Sequence, residues 1–243
     1  MLNNMESRGP DSAGFAIYKE ENEKDYKYSL CLNDLNFNDF KKEISKKLSE
    51  SQINQYSDHV ILKTSENPNK VINIINLDFP EVSIVGYGKS IEIFKQVGNP
   101  KEVVKKFNLE SFSGTHGIGH TRMATESAIT TDGSHPYSTG EDECLVHNGS
   151  LSNHNNLRRE LTKKGNIFNS ENDTEVAAGY VSNSLSNNKS LKDTLISGLK
   201  DLDGFYTFIT GTRKGFAVVR DEIACKPAVI AETENYVAIA SEF

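Results

Sequence analysis

The chain has 243 residues, a formal net charge of −7 and 36% hydrophobic residues. This length is sufficient for one large domain or two small ones with a hydrophobic core. The mean hydropathy is −0.52, and no apolar run approaches the roughly 20 residues that a membrane-spanning helix needs. The acidic balance argues against a nucleic-acid-binding surface. Three widely spaced cysteines without a CxxC pair favour neither a disulfide framework nor a cysteine-rich zinc site, so we expect a cytoplasmic protein.

Both ends of the chain look cut. The loop Arg8–Ser12 follows the start almost at once, and the last residues, YVAIASEF, stop inside a predicted strand. Some domains do begin with short helices and end in strands, but such ends are more often polar tails. We therefore expect the chain to be a fragment.

The first half of the chain is predicted to be rich in strands. Alternating apolar residues predict a strand over Gly14–Lys19, and helical spacing predicts a helix over Asp34–Leu48. β-rich runs follow at 59–65, 71–77, 82–88 and 91–98. Pro100 then opens a predicted short helix that ends at about Phe107.

The second half is predicted to place helices between strands. Strands are predicted over 114–125 and 143–153, and helices over 153–164, from Asn172 or Asp173 onwards, and over 191–199. Two hairpins close the sequence. This order is typical of an α+β domain, and the lack of GxGxxG and GxxxxGK[ST] motifs argues against a phosphate-binding loop.

A cluster of histidines raises the question of a metal site. Five of the six histidines lie between His116 and His154. The spacing of His116 and His120 suits a metal only on a helix, because on the predicted strand they would lie about 13 Å apart. No cysteine pair or acidic cluster completes a ligand set, so we predict that the chain has no metal site. The histidines are then expected to be structural or to lie beside the substrate.

Three further motifs each allow a structural and a functional interpretation. Arg122, among small residues at a strand end, suits either bidentate binding of a carboxylate or a structural salt bridge. Asn148 and Gly149 form either a type I′ turn or an oxyanion hole, made of a side-chain amide and a backbone N–H. Asp173 is either a helix N-cap or the partner of a substrate ammonium group. Taken singly, these alternatives stay open.

Six segments, in the order RGPDSAG, GHTRMAT, SHP, VHNGSLSNH, NDTE and RDEIACKP, together resemble the class II glutamine amidotransferases. These are N-terminal-nucleophile (Ntn) hydrolases. HTRMATES, NGSLSNHNNLR and DLDGFYTF are most similar to the amidotransferase subunits of glutamate-synthase-type enzymes and of methylamine–glutamate N-methyltransferase. The resemblance covers residues 1–243 as one domain, apart from an insertion at about 20–112. It implies an α+β fold, a four-layer αββα sandwich, incomplete at both ends.

The resemblance also implies an activity. Such enzymes hydrolyse the side-chain amide of glutamine and pass the ammonia to the active site of a partner synthase. A glutamate-synthase-like partner would carry FMN and iron–sulfur centres, and no cofactor is implied for this chain. The nucleophile of the class is an N-terminal cysteine whose own α-amino group acts as the base.

The matching motifs assign roles to residues of this chain. Arg122 and Thr125 match positions at the α-carboxylate of glutamine, and Asp173 matches the acid at its α-ammonium group. Asn148 and Gly149 match the oxyanion hole. His135 matches a histidine of the glutamine pocket, and Arg8 and Asp11 match residues that support the nucleophile. A structural element of the class is matched by four residues: Arg220, Asp221, Lys226 and Pro227.

The sequence departs from the class at the nucleophile, which should precede the RGPDS motif. Cys31 follows that motif, Cys144 and Cys225 fall inside predicted strands, and none of the three carries a free α-amine. We therefore expect the nucleophile to be missing from this chain, and the chain alone to be inactive. The alternatives are a non-catalytic binding or scaffold subunit with the same fold and an unrelated metal-dependent hydrolase.

Overall fold

The computed structural model describes residues 1–21, 24–124 and 128–242. The strands are β1 (Ser12–Tyr18), β2 (Tyr26–Cys31), β3 (Gln52–Tyr56), β4 (His59–Thr64), β5 (Ser83–Gly88), β6 (Ile91–Val97), β7 (His116–Arg122), β8 (Glu143–Leu151), β9 (Gly204–Thr212), β10 (Gly215–Arg220), β11 (Val229–Glu232) and β12 (Val237–Ala240). The helices are α1 (Phe37–Lys47), α2 (Pro68–Asp78), α3 (Pro100–Lys106), α4 (His154–Lys163), α5 (Asp173–Ser186) and α6 (Leu191–Asp201). Short 3₁₀ helices cover Leu2–Arg8 and Leu109–Ser111.

Two antiparallel sheets stack face to face at the centre of the molecule. One has the strand order β6-β1-β7 and the other the order β10-β9-β8. Because side chains alternate along a strand, one face of each sheet supplies a shared apolar layer. That layer includes Ala16, Tyr18, Ile118, Cys144 and Val146.

Helices cover the two outer faces. Phe15 of β1 and Phe94 of β6 pack against Phe107, which follows α3. On the other side, Val181 of α5 and Leu195 of α6 pack with residues of the β8–β9 pair. The expectation of an α+β, four-layer αββα sandwich is therefore confirmed. No helix in the described part of the chain is both long enough and apolar enough to cross a bilayer.

A second, smaller unit is inserted in the chain between β1 and β6, two neighbouring strands of one central sheet. Strands β3-β4-β2-β5 form their own antiparallel sheet, and α1 and α2 pack on it around a separate apolar core. Within the predicted insertion at about 20–112, residues 26–88 form this unit, whereas β6 pairs with β1 and α3 covers the central sheet. The extent of the insertion stays a prediction.

The prediction of a β-rich run at 71–77 is wrong, because this segment lies in α2. The Asn67 side chain accepts a hydrogen bond from the Asn69 N–H, and Pro68 occupies the first turn, where its fixed φ suits a helix. Val71 and Ile75, one helical turn apart, are both fully buried. Their burial against the second sheet outweighs the strand preference of the isoleucines.

Candidate functional site

Strand β8 carries the Asn148–Gly149 pair without a turn. The strand runs on to Leu151, with Asn148 opposite Thr207 and Gly149 opposite Tyr206, so the interpretation as a type I′ turn is wrong. Gly149 has φ +144°, and a Cβ there would lie 2.0 Å from the Phe205 carbonyl oxygen. Only glycine combines that backbone angle with so close an approach of the next strand.

The outer edge of β8 faces away from β9. Leu145 exchanges two backbone hydrogen bonds with Tyr137 along this edge, at 2.8 and 3.0 Å. Backbone groups alternate in direction along a strand, so the N–H groups of Gly149 and Leu151 point the same way as that of Leu145. The Leu151 N–H donates to Asp173 Oδ2 at 2.8 Å. The Gly149 N–H therefore points into the region that Asp173 borders.

The side chains of Arg122 and Asn148 lie on the inner faces of the two central sheets, so that each points towards the opposite sheet. Arg122 lies on the same face of β7 as Ile118, and Asn148 on the same face of β8 as Val146. Ile118 and Val146 both belong to the apolar layer between the sheets. Arg122 is 6% exposed and its Nη1 donates to the Ala128 carbonyl at 3.2 Å. A buried guanidinium and an amide are thus directed into the space between the sheets.

Asp173 is held in place without being the helix cap. Asn172 caps α5 by accepting from the Thr174 N–H at 2.9 Å. Asp173 Oδ1 lies 3.6 Å from His147 Nδ1 and accepts from the Thr174 hydroxyl at 3.3 Å. Burial opposes ionisation, but the His147 contact and the Leu151 N–H bring the pKa of Asp173 below its ordinary value. The N-cap interpretation is wrong, and an anion remains at the site.

His135 lies beneath Asp173. Its ring is buried, and Nε2 is 3.0 Å from Thr174 Oγ1. The loop before it is held by Lys95, whose ammonium donates to the Ser134 carbonyl at 2.9 Å. A Cβ at Gly14 would lie 2.2 Å from the His135 carbonyl oxygen, so glycine is needed for this approach. The predicted pocket histidine is joined to the site through Thr174.

The segment around Asp11 supports the end of β7. Asp11 Oδ2 accepts from the Ala124 N–H at 2.8 Å, and its own N–H donates to the Arg122 carbonyl at 3.1 Å. Arg8 instead forms an exposed ion pair with Glu242. The predicted site residue Thr125 lies outside the described residues.

The structural element predicted around Arg220 and Asp221 braces β9. Asp221 Oδ2 accepts from the Tyr206 N–H at 2.7 Å, and the Lys226 carbonyl accepts from the Thr207 hydroxyl at 2.9 Å. Tyr206 and Thr207 are the residues opposite Gly149 and Asn148. This element therefore supports the strand behind the predicted oxyanion hole.

The cysteines differ from the predicted pattern in one respect. Cys31 and Cys144 are buried in strands, and burial raises the pKa of Cys31 to about 11 and the pKa of Cys144 to about 12. Cys225 is exposed in the loop after β10, so its prediction as a strand residue is wrong. The chain leaves the strand because Asp221 Oδ1 accepts the N–H groups of Ile223 and Ala224.

One group of metal-ligating side chains lies in the second unit. Single donor atoms of Cys31, Asp58 and His59 lie within 4.8 Å of one another. Both Asp58 oxygens already have partners, because Oδ1 is 3.0 Å from His59 Nδ1 and Oδ2 is 2.9 Å from Lys106 Nζ. The ammonium repels a second cation. The contacts favour an ion-pair network over a metal centre.

Three residues at the site were not predicted by role: His120, His147 and Thr174. His120 Nε2 is 3.0 Å from the His147 carbonyl oxygen, and His147 Nδ1 is 3.1 Å from Thr174 Oγ1. His147 directly precedes Asn148, and Thr174 directly follows Asp173. That adjacency was the available signal. Their contacts bring the segments of Arg122, Asn148 and Asp173 to one end of the two sheets.

Known proteins are similar to this chain in sequence. The family model described as the glutamine amidotransferase domain matches residues 120–243. The glutamine amidotransferase-like protein GlxB of Rhizobium meliloti (strain 1021) is 50% identical over 246 residues, covering 100% of this chain and 82% of the relative. The amidophosphoribosyltransferase of Methanocaldococcus jannaschii is 33% identical over 158 residues, covering 64% of this chain and 34% of that protein.

A solved structure shares the fold. The glutamine phosphoribosylpyrophosphate amidotransferase from B. subtilis, complexed with ADP and GMP, matches with a TM-score of 0.62 and 21% identity. The match covers 99% of this chain and 37% of the solved chain. At this identity the likeness concerns the fold alone, and the family rests on the sequence matches. The chain belongs to the glutamine amidotransferase domain family.

Proposed function

We propose that this chain forms the glutamine-binding and oxyanion-stabilising part of a class II glutamine amidotransferase. The observation that carries the proposal is that one end of the two sheets holds a buried guanidinium, a carboxylate anion and an outward-facing glycine N–H. These belong to Arg122, Asp173 and Gly149. An α-amino acid with a side-chain carbonyl needs one group of each kind.

Each of the three groups is proposed to bind a different part of glutamine. Arg122 binds the α-carboxylate through its planar fork of donors, and Asp173 binds the α-ammonium group. The Gly149 N–H and the Asn148 side-chain amide donate to the oxyanion that forms when the amide carbonyl is attacked. Thr125 is proposed to assist at the carboxylate, and His135 to support the pocket from below.

The proposed nucleophile is the N-terminal cysteine of the class. Its α-amine takes the thiol proton, and the thiolate attacks the amide carbon of glutamine. Collapse of the oxyanion breaks the C–N bond, the leaving nitrogen takes the proton, and ammonia departs. Water then hydrolyses the thioester to glutamate. We place this cysteine outside residues 1–243, because Cys31 and Cys144 are buried and no cysteine of the chain carries an α-amine.

The ammonia is proposed to pass to a partner synthase. The relatives include an amidophosphoribosyltransferase and a glutamine–fructose-6-phosphate aminotransferase, and both names describe transfer to an acceptor. The motifs favour a glutamate-synthase-like partner in the cytoplasm, with FMN and iron–sulfur centres on the partner. Arg8 and Asp11 are proposed to support the segment that carries the nucleophile.

Isolation of the protein from its native cells tests this function. Intact mass and N-terminal sequencing would reveal whether an N-terminal cysteine precedes the RGPDS motif, and ammonia release would be measured with glutamine and with asparagine. We expect a leading cysteine and glutamine-dependent ammonia. A mature protein without that cysteine, binding a partner but releasing no ammonia, would instead indicate a non-catalytic scaffold subunit.

A further inference from the structure

The hydroxyl of Thr174 contacts two histidine rings, those of His135 and His147, and a third ring, that of His120, stacks on His135. We call His120, His135, His147 and Thr174 the Thr174 cluster. Thr174 is 1% exposed, and the rings of His120 and His135 are stacked with centroids 4.1 Å apart. The cluster lies directly under Asp173, which the Thr174 hydroxyl contacts at 3.3 Å. Its hydrogen bonds can be assigned by elimination.

The assignment starts from the Thr174 hydroxyl, which has one proton and two lone pairs. The Asp173 carboxylate accepts only, so it takes the hydroxyl proton. His135 Nε2 at 3.0 Å and His147 Nδ1 at 3.1 Å must then both donate to Thr174 Oγ1. His135 is therefore protonated at Nε2 and His147 at Nδ1.

His120 is assigned in the same way. Its Nε2 lies 3.0 Å from the His147 carbonyl oxygen, and a carbonyl can only accept. His120 is thus protonated at Nε2. The three remaining ring nitrogens have no hydrogen-bond partner among the described residues: His120 Nδ1, His135 Nδ1 and His147 Nε2. In the assignment these three nitrogens are the unprotonated ones. Burying an unprotonated nitrogen without a partner costs less free energy than burying the N–H of a charged ring.

Burial keeps the stacked rings neutral. It lowers the pKa of His120 to about 4 and the pKa of His135 well below its ordinary value. Repulsion between the neighbouring rings acts in the same direction. The stacked rings of His120 and His135 are therefore neutral beneath the charged Asp173 carboxylate.

We propose that Thr174 is the positioning residue of the glutamine site, aiming the Asp173 carboxylate through a hydroxyl that His135 and His147 hold in one orientation. The inference rests on the proposed function, since it gives Asp173 the α-ammonium group of glutamine. It goes further in assigning work to Thr174 and a single tautomer to each histidine. Thr174 touches Asp173 and not the substrate, so its loss affects binding through another residue.

The first test replaces Thr174 in the full-length protein and measures KM and kcat for glutamine. Thr174→Val keeps the shape and removes the hydroxyl, whereas Thr174→Ser keeps the hydroxyl. The matched control is Thr210→Val, because Thr210 is also 1% exposed and its hydroxyl has no partner among the described residues.

We expect Thr174→Val to raise KM about 10- to 100-fold, as for loss of a hydrogen bond to a charged group, with a smaller change in kcat. Thr174→Ser should stay within about threefold of the unchanged protein, and Thr210→Val should have no effect on KM. Equal KM values for Thr174→Val and Thr210→Val would overturn the inference. So would failure of Thr174→Ser to restore KM, which would indicate a role in packing alone.

The second test measures the tautomers without any need for activity. In histidine-labelled protein, ¹⁵N NMR at pH 7 should find His120 and His135 protonated at Nε2 and His147 at Nδ1, with assignments from single His→Gln variants. Thr174→Val should shift the His135 and His147 signals and leave His120 nearly unchanged. A His147 ring protonated at Nε2 alone would overturn the assignment.

The two tests separate this inference from the proposed function. If the unchanged full-length protein has the expected tautomers but neither binds nor hydrolyses glutamine, the proposed function fails, and with it the role of Thr174 in aiming Asp173 at a substrate. If the protein is active but the tautomers differ, the Thr174 inference alone fails.

Discussion

Substitution of Gly149 tests whether the close approach of β8 and β9 sets the oxyanion site. A Cβ at this position would lie 2.0 Å from the Phe205 carbonyl oxygen and 2.7 Å from Tyr206 Cα. Both are backbone atoms of β9, so neither can rotate away. Real Cβ contacts begin at 3.0 Å, and Gly149→Ala must therefore shift one strand by about 1 Å at the residue whose N–H we assign to the oxyanion. A displacement of that size costs about 10²-fold in rate.

Gly215→Ala is the matched control for this change. Gly215 lies on β10 of the same sheet with φ +135°, but no described atom lies within 4 Å of a Cβ built there. Both alanines are strained by the positive φ, which costs about 1–3 kcal/mol, and only Gly149→Ala adds the clash. Steady-state ammonia release and thermal unfolding should be measured for both variants of the full-length protein. We expect kcat to fall about 10²-fold for Gly149→Ala alone, with a larger drop in Tm.

Equal kcat values for the two alanine variants would refute this reasoning, since they would remove the link between strand spacing and the oxyanion. If Gly149→Ala folds too poorly for kinetics, Asn148→Ala still tests the oxyanion assignment, though not the strand spacing. Asn148 has its backbone in the regular β8–β9 ladder, so truncation of its side chain leaves the strand spacing unchanged. An unchanged kcat in a folded Asn148→Ala protein would remove the side-chain amide from the site.

Other predictions concern the carboxylate, the oxyanion and the response to pH. Arg122→Ala should raise KM for glutamine by about 10- to 100-fold, because the α-carboxylate loses a charged partner; steady-state kinetics would measure this, and an unchanged KM would contradict the assignment. Asn148→Ala should lower kcat about 10²- to 10³-fold at a similar KM. His120, whose pKa burial lowers to about 4, is neutral when folded, whereas the unfolded chain takes up the proton near pH 6.5. The free energy of unfolding should therefore fall as pH drops from about 6.5 towards 4, and urea titrations should find a weaker fall in His120→Gln. Burial raises the pKa of Glu143 to about 8, so the folded state binds the extra proton and its stability should fall as pH rises from about 4.5 to 8. Glu143→Gln should raise Tm at pH 8 and change it little at pH 4; a Tm that does not respond at pH 8 would contradict the burial of this carboxyl.

The fold was largely predictable because most elements carry a strong local signal. Pro100 and Asn172 mark the starts of α3 and α5, alternation marks β1, and a β-rich run marks β6. The segment of α2 failed because its β-branched residues favour a strand locally, while burial of Val71 and Ile75 on the second sheet decides for a helix. Tertiary packing of this kind cannot be read from a short window.

The candidate site was predictable only in part. The residue types at Arg122, Asn148 and Asp173 indicated possible chemistry, and the order of the motifs indicated the family. The turn interpretation of Asn148–Gly149 failed because the positive φ of Gly149 is used to admit β9, which lies far along the chain. The roles of His120, His147 and Thr174 depend on contacts between three separate elements, and no spacing along the sequence encodes them.

The second sheet lies inside what is topologically a hairpin. β1 and β6 pair directly, with Tyr18 opposite Ile91, and residues 26–88 between them form the smaller unit. Closing a flexible loop of that length would cost about 2–3 kcal/mol more than closing a tight turn. Pairing of β2 with β5 brings the two ends together beforehand, and the Lys19 N–H then donates to the Ser90 carbonyl at 3.1 Å. We therefore expect the smaller unit to fold first and to hold the ends of β1 and β6 close together, as a tight turn would, before these strands pair. The unit also contributes Cys31 and Val85 to the apolar layer between the central sheets, so we expect its replacement by a short turn to destabilise the sandwich.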